Sequence, residues 1–382
     1  MNIKKRLELL GSIKRVVMKI GSGVISSPTG EELSHSAIKR LVNDICELER
    51  DGRFEVIVVS SGAVMSGAGH LGQKIAHLSI PMKQAASAVG QVSLMNLYGG
   101  FFRERKRKVA QILLTRDDVS NRRRYLNLRN TITTLMGLGI TPIINENDSA
   151  AVHEIKLGDN DTLAAMVTAL AGADLLLILS DVEGFYTADP ATNPSAELIG
   201  EVTHINDGIL EMAGESSSSS GVGGMRSKVL AARTASKYGV PTWIIGGKTE
   251  GSIPSALRHG KGGTFFHPAN TKMKQRKHWI AHLLKPKGKI TVDDGAKTAL
   301  VEKGKSLLPS GVVSVSGGFE SGDAVSLLNG GKREFARGLV NYHAFELKRI
   351  KGKKSSEIEK ILGYKTYDEI IHRDDMVILE EG

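Results

Sequence analysis

The sequence is poor in the residues that mark several common protein classes. Its 382 residues include a single cysteine, two tryptophans and 5% aromatic residues. The one cysteine, Cys46, falls on the apolar stripe of a helical pattern, where a buried, unreactive thiol is expected rather than a catalytic one. No run of about 18 apolar residues and no signal-peptide pattern is present, so neither a membrane span nor a secretory leader is expected. These absences favour a cytoplasmic protein.

The two commonest nucleotide-binding motifs are also missing. Two segments end like a P-loop, but Ala299 and Thr242 stand where the motif requires its first glycine. The Gly-x-Gly pairs at 21–23 and 221–223 lack the third glycine of the dinucleotide-binding fingerprint. The eleven histidines show no metal-ligand spacing, so no residue is assigned as a metal ligand. A P-loop nucleotidase, a dehydrogenase and a zinc enzyme are therefore not supported.

The chain is basic, with a formal net charge of +10. Residues 270–382 carry 21 Lys and Arg against 15 Asp and Glu, and so hold most of the excess. Such a balance fits a nucleic acid, a membrane surface or an anionic substrate such as ATP. The charge alone does not choose between these partners.

Short β-branched runs alternate with amphipathic helical patterns over the first two thirds of the chain. This alternation predicts an α/β fold, a three-layer sandwich with a mostly parallel central sheet and helices on both faces. Ligands of such sheets bind at the carboxyl ends of the strands. The predicted strands are 16–20, 55–59, 109–114, 141–144, 175–179 and 242–245, and the predicted helices are 34–50, 82–102, 127–137, 160–171 and 224–238.

The pattern changes in the last third of the chain. Around residues 251–285 it loosens into Gly, Pro, Lys and His, which is typical of a connection between domains. Short alternating runs with Gly-Gly and Ser-Gly turns follow, and they predict a small β-rich domain. We therefore expect a first domain over 1–265, a linker over 266–287 and a second domain over 288–382. The predicted strands of the second domain are 290–292, 311–315, 324–328 and 338–342.

Two glycine turns that follow predicted strands suit an anion. The first strand runs into Lys19-Ile20-Gly21-Ser22-Gly23, which places a cation beside bare backbone N–H groups. The second strand ends in Ser60-Ser61-Gly62-Ala63-Val64, a polar turn that opens a helix. Each turn alone is weak, because glycine after a strand is more often just a turn.

Two further segments concentrate polar chemistry. The segment 144–148, together with 156–161, is dense in carboxyl and carboxamide groups. One of these side chains would cap the helix at 160–171, but the concentration suits an ammonium group, magnesium bound through waters, or neighbouring lysines. The segment 221–228 is a glycine turn that leads into a helix with Lys228 in its first turn, and a bound anion would reverse the unfavourable interaction of that lysine with the helix dipole.

These segments, in this order and spacing, resemble the amino-acid kinase family over residues 16 to about 265. The residues that carry the resemblance are Lys19 to Ser22, Ser60 to Ala63, Ile144 to Asp148, Gly158 to Asp161, Tyr186 to Pro190 and Gly223 to Met225. The region from Leu307 through Gly322 to Leu339 resembles a PUA domain. Six ordered motifs and this tail are far more specific than any one of them.

The resemblance implies a role for each matching residue. Lys19 and Lys228 would flank the transferring phosphoryl group, and Asp161 would hold both lysines in place. The substrate-binding residues it implies are Ser61, Gly62, Asn145, Asp148 and Asn160, and the ATP-binding residues are Lys19, Ser180, Asp181, Val222, Gly223, Gly224, Met225, Arg226, Ser227 and Lys228. The family usually has Thr at the positions of Ser180, Val222 and Ser227, and Val222 alone loses the hydroxyl, so a side-chain contact to ATP from that position is in doubt.

The resemblance also implies an activity. It is the ATP-dependent phosphorylation of the side-chain carboxylate of L-glutamate to L-glutamyl 5-phosphate, the first step of proline biosynthesis. ATP and Mg²⁺ would be the cofactors, proline a feedback inhibitor, and the assembly a homodimer or homotetramer. One alternative is another kinase of the family that acts on acetylglutamate, aspartate, carbamate or a nucleotide. The other is an RNA-binding protein that acts through the PUA-like domain, which is not favoured because its few aromatic residues suit a core.

Overall fold

The chain forms two compact units in its computed structural model, Met1–Asn270 and Thr271–Gly382. The structure describes residues 3–115, 118–119, 122–150, 160–214, 224–268, 286–331 and 333–379. Each unit has its own sheet and its own buried core. Most of the predicted linker, residues 269–285, lies outside the described residues.

The first unit contains an eight-stranded sheet in the order β3-β4-β2-β1-β5-β7-β8-β6. All neighbouring strands are parallel except β7 and β8. The six strands predicted from the sequence are present with slightly longer bounds, while β6 and β8 are too short to show an alternating pattern. The strands are β1 Arg15–Ile20, β2 Glu55–Ser60, β3 Lys108–Leu114, β4 Ile140–Glu146, β5 Leu175–Ser180, β6 Glu201–Val202, β7 Thr242–Gly246 and β8 Thr264–Phe266.

Helices connect these strands. The five predicted helices are present, and the remaining ones are short or begin at the N-terminus of the chain. The helices are α1 Ile3–Gly11, α2 Ser22–Ile25, α3 His35–Arg50, α4 Ala63–His70, α5 Ile80–Glu104, α6 Arg122–Gly137, α7 Asn160–Ala171, α8 Asp207–Met212, α9 Met225–Lys237 and α10 Ser252–His259, with a 3₁₀ turn at Ile75–His77. Within the part of the chain that the structure describes, no helix could cross a membrane.

The core of the first unit has two layers, one on each face of the sheet. Successive residues of β1 alternate between them, since Met18 packs into one cluster and Val17 into the other. Buried residues of α3, α5 and α10 complete the first cluster, and those of α6, α7 and α9 complete the second. The predicted three-layer α/β sandwich is thus confirmed. Cys46 packs half-buried against the first cluster, and burial raises the pKa of its thiol.

The second unit contains a five-stranded sheet in the order β10-β9-β11-β12-β13. Only β9 and β11 pair in parallel. Its strands are β9 Gly288–Val292, β10 Val312–Gly317, β11 Ala324–Leu328, β12 Glu334–Leu339 and β13 Met376–Ile378. Its helices are α11 Asp294–Val301, α12 Ala344–Ile350 and α13 Ile358–Leu362, with 3₁₀ turns at Pro309–Gly311, Ser355–Glu357 and Arg373–Asp375. The expectation of a small β-rich domain is confirmed.

Two details of this unit differ from the expectation or refine it. The predicted strand 338–342 ends at Leu339, because the N–H groups of Val340 and Asn341 donate to carbonyls of the loops instead. Three of the four aromatic residues expected in the core, Phe319, Phe335 and Tyr342, are buried. The fourth, Phe345, lies on α12 and is 63% exposed.

Candidate active site

The polar segments singled out in the sequence follow neighbouring strands of the first sheet. Strands β4, β2, β1 and β5 lie side by side and run parallel, so their carboxyl ends meet at one edge. Lys19, Ser60, Glu146 and Ser180 stand at or next to these ends. The fold therefore brings distant parts of the sequence to one edge, where ligands of such sheets bind.

A buried cluster of two lysines and one aspartate forms the first part of the site. The Nζ of Lys19, on β1, lies 2.7 Å from Oδ1 of Asp161, and the Nζ of Lys228, on α9, lies 3.9 Å from Oδ2 of the same carboxylate. Ser227 donates its hydroxyl to that Oδ2 at 2.5 Å. Lys19, Asp161 and Lys228 are only 4%, 1% and 6% exposed. Three elements thus converge on one carboxylate.

The lysine–aspartate cluster lowers the pKa of Asp161. Burial by itself raises the pKa of Asp161, but the charges of Lys19 and Lys228 and the hydrogen bonds from Lys19 and Ser227 hold the pKa of that carboxyl below its usual value. Asp161 is therefore ionised at neutral pH. Two ammonium groups thus lie beside one carboxylate in a buried place, and such groups suit an anion such as a phosphoryl group.

A network of amides forms the second part of the site. The Nδ2 of Asn160 lies 3.1 Å from the carbonyl oxygen of Ser60, 3.1 Å from Oγ of Ser61 and 3.0 Å from Oδ1 of Asn145. Asn145 in turn donates its Nδ2 to Oε1 of Gln91 at 2.8 Å. Asn160 and Asp161 are consecutive in the first turn of α7, so the amide network and the lysine–aspartate cluster are joined directly.

Two buried acceptors of this second part lack a donor among the residues that the structure describes. Ser87 donates to Oδ2 of Asp148 at 2.7 Å, but Oδ1 of Asp148 and Oδ1 of Asn160 have no hydrogen-bond partner among the described residues. Burial raises the pKa of Asp148, and the hydrogen bond from Ser87 opposes the rise only in part. A ligand with several donors, such as an ammonium group, would satisfy both acceptors.

A cavity of about 290 Å³ opens beside Asp148. Its wall includes Ser87, Gln91, Glu146 and Asn147. Drug-sized ligands occupy sites of about 300–1,000 Å³, so this cavity has the size for a small metabolite.

The turn at Ser61 and Gly62 has a backbone that requires glycine. Gly62 has φ +106°, and a Cβ built on it would lie 2.9 Å from Cδ1 of Ile25. Gly62 is also the N-cap of α4, so the N–H groups of the first turn of that helix are free of a side-chain cap. The turn can therefore present N–H groups to an anionic ligand.

The residues expected at ATP are placed only in part. Ser180 is 2% exposed at the end of β5 and donates to Oδ1 of Asp181 at 3.3 Å. Gly224 is the N-cap of α9, whose first turn holds Met225 and Ser227. Arg226 donates to the carbonyl oxygen of Leu210 at 3.3 Å, so this guanidinium is engaged by α8. The expected contacts at Val222 and Gly223, and Asp159 beside Asn160, lie outside the described residues.

The sequence patterns missed Ser87 and Gln91. Both lie inside the long helix α5, far from any motif, yet both contact predicted substrate residues. The available signal was their spacing of four residues within a run of Ala, Gly and Val, which places two polar side chains on one face of the helix.

The described residues contain no group of three or more His, Cys, Asp or Glu side chains that could hold a metal ion. Mg²⁺ usually keeps several waters and binds through substrate phosphates, so the side chains present are compatible with that ion arriving on a nucleotide.

Comparisons with known proteins agree with the geometry. Residues 14–246 match the Amino acid kinase family and residues 288–362 match the PUA domain. The resemblance inferred from the ordered motifs is thus confirmed.

Similar curated proteins span nearly the whole chain. A glutamate 5-kinase of Syntrophotalea carbinolica is 50% identical over 98% of this chain and 99% of its own length. The glutamate 5-kinase of Geobacter metallireducens is 51% identical over 98% of this chain and 100% of its own. That of Moorella thermoacetica is 45% identical over 97% of both.

Proposed function

Since this chain belongs to the amino acid kinase family, we propose that it transfers the γ-phosphoryl group of ATP to the side-chain carboxylate of L-glutamate. The product is L-glutamyl 5-phosphate, the first intermediate on the route to proline. The observation that carries the proposal is the junction at Asn160 and Asp161, which joins a buried site for an anion to a buried site for an ammonium group. Relatives named glutamate 5-kinase, about 50% identical over nearly the full chain, support glutamate as the acceptor.

The reaction needs no general base. The side-chain carboxyl of glutamate has a pKa of about 4.3, so it is ionised at pH 7 and is already a nucleophile. The difficulty is that one anion must approach another. Catalysis therefore consists of aligning the two reactants and stabilising charge on the transferring phosphoryl group.

Lys19 and Lys228 are suited to that charge. Both are buried, and both ammonium groups lie beside the same carboxylate, that of Asp161. Asp161 holds the two ammonium groups in place without contacting the phosphoryl group itself. Pre-positioned cations in a dry site lower the barrier because they need no reorganisation as charge develops.

Asp148 and Asn160 are suited to the other end of glutamate. Their unpaired Oδ1 atoms accept from the α-ammonium group, and Ser61, Gly62 and the N–H groups that open α4 bind a carboxylate. Asn145 also belongs to this end of the site and supports Asn160, whose Nδ2 donates to Oδ1 of Asn145.

Mg²⁺ is the expected companion of ATP, and when bound it neutralises charge on the β- and γ-phosphates. The residues of this chain position the phosphates through Lys19, Lys228 and the N-terminus of α9 at Gly224. Ser180 and Asp181, at the end of β5, lie where the nucleoside is expected.

The proposal also covers inhibition by proline, the assembly of the protein and its cellular compartment. Proline shares the α-amino and α-carboxylate groups of glutamate, so a site built around Asp148 and Asn160 would bind part of either molecule. Proline is therefore proposed as an inhibitor that competes with glutamate. The active assembly is proposed to be a homodimer or homotetramer in the cytoplasm.

A comparison of acceptor acids tests the function. Purified protein with ATP and Mg²⁺ is assayed for ADP release with glutamate, N-acetylglutamate, aspartate and carbamate. Glutamate should support turnover, whereas N-acetylglutamate, which lacks the ammonium group, should not. Turnover with N-acetylglutamate in preference to glutamate would contradict the roles of Asp148 and Asn160 and favour another member of the family.

A further inference from the structure

We propose that Ser87 and Gln91, four residues apart on α5, are positioning residues for the acceptor substrate: Ser87 holds the carboxylate of Asp148, and Gln91 accepts the hydrogen bond that holds the amide of Asn145. The inference rests on the proposed function, which assigns the ammonium group of glutamate to Asp148. It adds α5, a helix that contains none of the sequence motifs, to the substrate site.

Both side chains lie where polar groups are costly unless they are hydrogen-bonded. Ser87 is 4% exposed and Gln91 8% exposed, on the buried stripe of α5 that continues through Leu94, Tyr98 and Phe102. A buried hydroxyl or amide without a partner destabilises the fold. The partners that these two groups meet are site residues, Asp148 and Asn145.

The orientation of each amide in the network follows from one backbone group. The N–H of Glu146 donates to Oδ1 of Asn145 at 2.9 Å, and a backbone N–H can only donate. Nδ2 of Asn145 must therefore point to an acceptor, which Oε1 of Gln91 supplies at 2.8 Å. Oδ1 of Asn145 then accepts from Nδ2 of Asn160, so Oδ1 of Asn160 is left for a ligand. Gln91 stabilises the orientation that the backbone N–H of Glu146 sets, because it accepts where Asn145 must donate.

Ser87 plays the matching part for Asp148. Its hydroxyl donates to Oδ2, so the other oxygen, Oδ1, stays available to a ligand. A donor hydrogen bond favours the charged form of a carboxyl, and this one counteracts the rise in the pKa of Asp148 that burial causes. Among the described residues of the cavity wall, Glu146 is the other titratable group.

Close contacts at glycines hold α5 against α4, the helix that follows the turn at Ser61 and Gly62. A Cβ on Gly90 would lie 2.0 Å from the carbonyl oxygen of Ala63, and a Cβ on Gly67 would lie 1.7 Å from that of Ala86. The backbones of α4 and α5 therefore touch directly, at residues next to Ser87 and Gln91. The helix that carries the positioning residues is thus fixed against the helix that begins at Gly62.

A measurement without substrate tests Ser87. In protein labelled with [¹³C]aspartate, the carboxyl resonance of Asp148 is identified by its loss in Asp148→Asn and is followed against pH. Loss of the donor in Ser87→Ala should move the titration midpoint of Asp148 to higher pH. Ser93→Ala, a hydroxyl removed from the same helix, should leave it unchanged. An unchanged midpoint in a folded Ser87→Ala protein overturns the assignment, whatever the substrate of the enzyme is.

Kinetics then test the role in the reaction. Ser87→Ala should raise the glutamate KM about tenfold, as expected when a hydrogen bond to a charged group is lost, with kcat and the ATP KM little changed. In the Asp148→Asn background the same substitution should add little, because Ser87 acts through Asp148. Equal effects in both backgrounds contradict the proposal. No glutamate turnover by the wild-type protein would instead contradict the proposed function, while the midpoint measurement still decides on Ser87.

The counterpart experiment uses Gln91→Met, which keeps the length of the side chain but removes the strong acceptor. The glutamate KM should rise about tenfold, with the ATP KM unchanged, because Nδ2 of Asn145 loses its partner. Loss of packing alone would lower the fraction of active protein and hence kcat, so the division between KM and kcat separates the two causes. An unchanged glutamate KM in folded Gln91→Met overturns the role of Gln91.

Discussion

Asp161 and Asp148 are equally well buried, 1% and 5% exposed, yet their carboxyls differ in the direction of their pKa shifts. Asp161 meets two ammonium groups and a hydroxyl, so its pKa is lowered. Asp148 meets one hydroxyl, so burial prevails and its pKa is raised. Asp161 thus has cationic partners within the protein, whereas Asp148 has no cationic partner among the described residues.

This difference separates two tasks. The lysine–aspartate cluster is assembled by the protein alone and is ready for an anion, as expected of groups that act on a transferring phosphoryl group. Under the proposed function, the site of Asp148 gains a cation when the ammonium group of the acceptor binds, so this site would select the acceptor. Pairs of carboxyls whose surroundings shift their pKa values apart mark such divisions of labour.

The largest effect is expected at the lysine–aspartate cluster. Lys19→Ala and Lys228→Ala should each lower kcat far more than they raise the glutamate KM, since both charges act on the transferring group. Loss of one such group costs about 3–4 kcal/mol, or about 100- to 1,000-fold in rate. Steady-state kinetics at saturating substrates measure this, with Lys39→Ala, an exposed lysine on α3, as the matched control. Near wild-type turnover in either variant would remove that lysine from the mechanism.

A smaller effect, on the other kinetic constant, is expected at Asp148. Asp148→Asn removes the charge that pairs with the ammonium group, so binding should weaken by about 2 kcal/mol, or about 30-fold in the glutamate KM. Inhibition by proline should weaken in parallel if both ligands share the site. Asp51→Asn, an exposed aspartate, is the control. A variant that binds proline normally while losing glutamate would show that proline binds elsewhere.

The pH profiles of kcat/KM and of kcat should report the ionisation of Asp148 and of Asp161 separately. Asp148 must be ionised to bind the ammonium group, and its pKa is raised, so kcat/KM for glutamate should fall about tenfold per pH unit below that pKa. Asp161 has a lowered pKa and stays ionised there, so kcat at saturating glutamate should persist to lower pH. Glutamate itself titrates near pH 4.3, so a limb above that value does not come from the acceptor. In Asp148→Asn the upper limb of kcat/KM should vanish, and its persistence would assign it to another group.

The lysine–aspartate cluster could be predicted from the resemblance to the family, with support from the positions of its residues, and the amide network only in part. Lys19 stands at the end of a strand, and Asp161 and Lys228 stand at the starts of helices, where ligand sites of parallel sheets occur. Ser87 and Gln91 lie in the middle of α5, and only their contacts with Asp148 and Asn145 reveal their role. Which amide oxygen is free depends on a backbone N–H at Glu146, which no residue pattern encodes.

The elements of the fold also divide into those that a sequence pattern predicts and those that depend on pairing or packing. The six long strands of the first unit were predicted because their alternation with helices is strongly periodic. Strands β6, β8 and β13 have two or three residues each and depend on pairing with neighbours. The short helices of the second unit were missed for the same reason, since α13 spans five residues and forms by packing rather than by a long apolar pattern.

The smallest effect is expected when the second unit is removed. Both halves of the site lie within Met1–Asn270, and each unit has a hydrophobic core of its own, so a chain truncated after residue 270 should fold and should retain both carboxyl environments. Its kcat and its glutamate KM should stay within about threefold of the full chain, well below the effects of losing Lys228 or Asp148. Circular dichroism establishes folding, ADP release measures kcat, and the pH profile of kcat/KM reports on Asp148. A folded but inactive truncated protein would mean that the phosphoryl end depends on the second unit. Retained kcat with a shifted pH profile would mean that only the glutamate-binding end depends on the second unit. Either result would show that at least one end of the site is not independent of that unit.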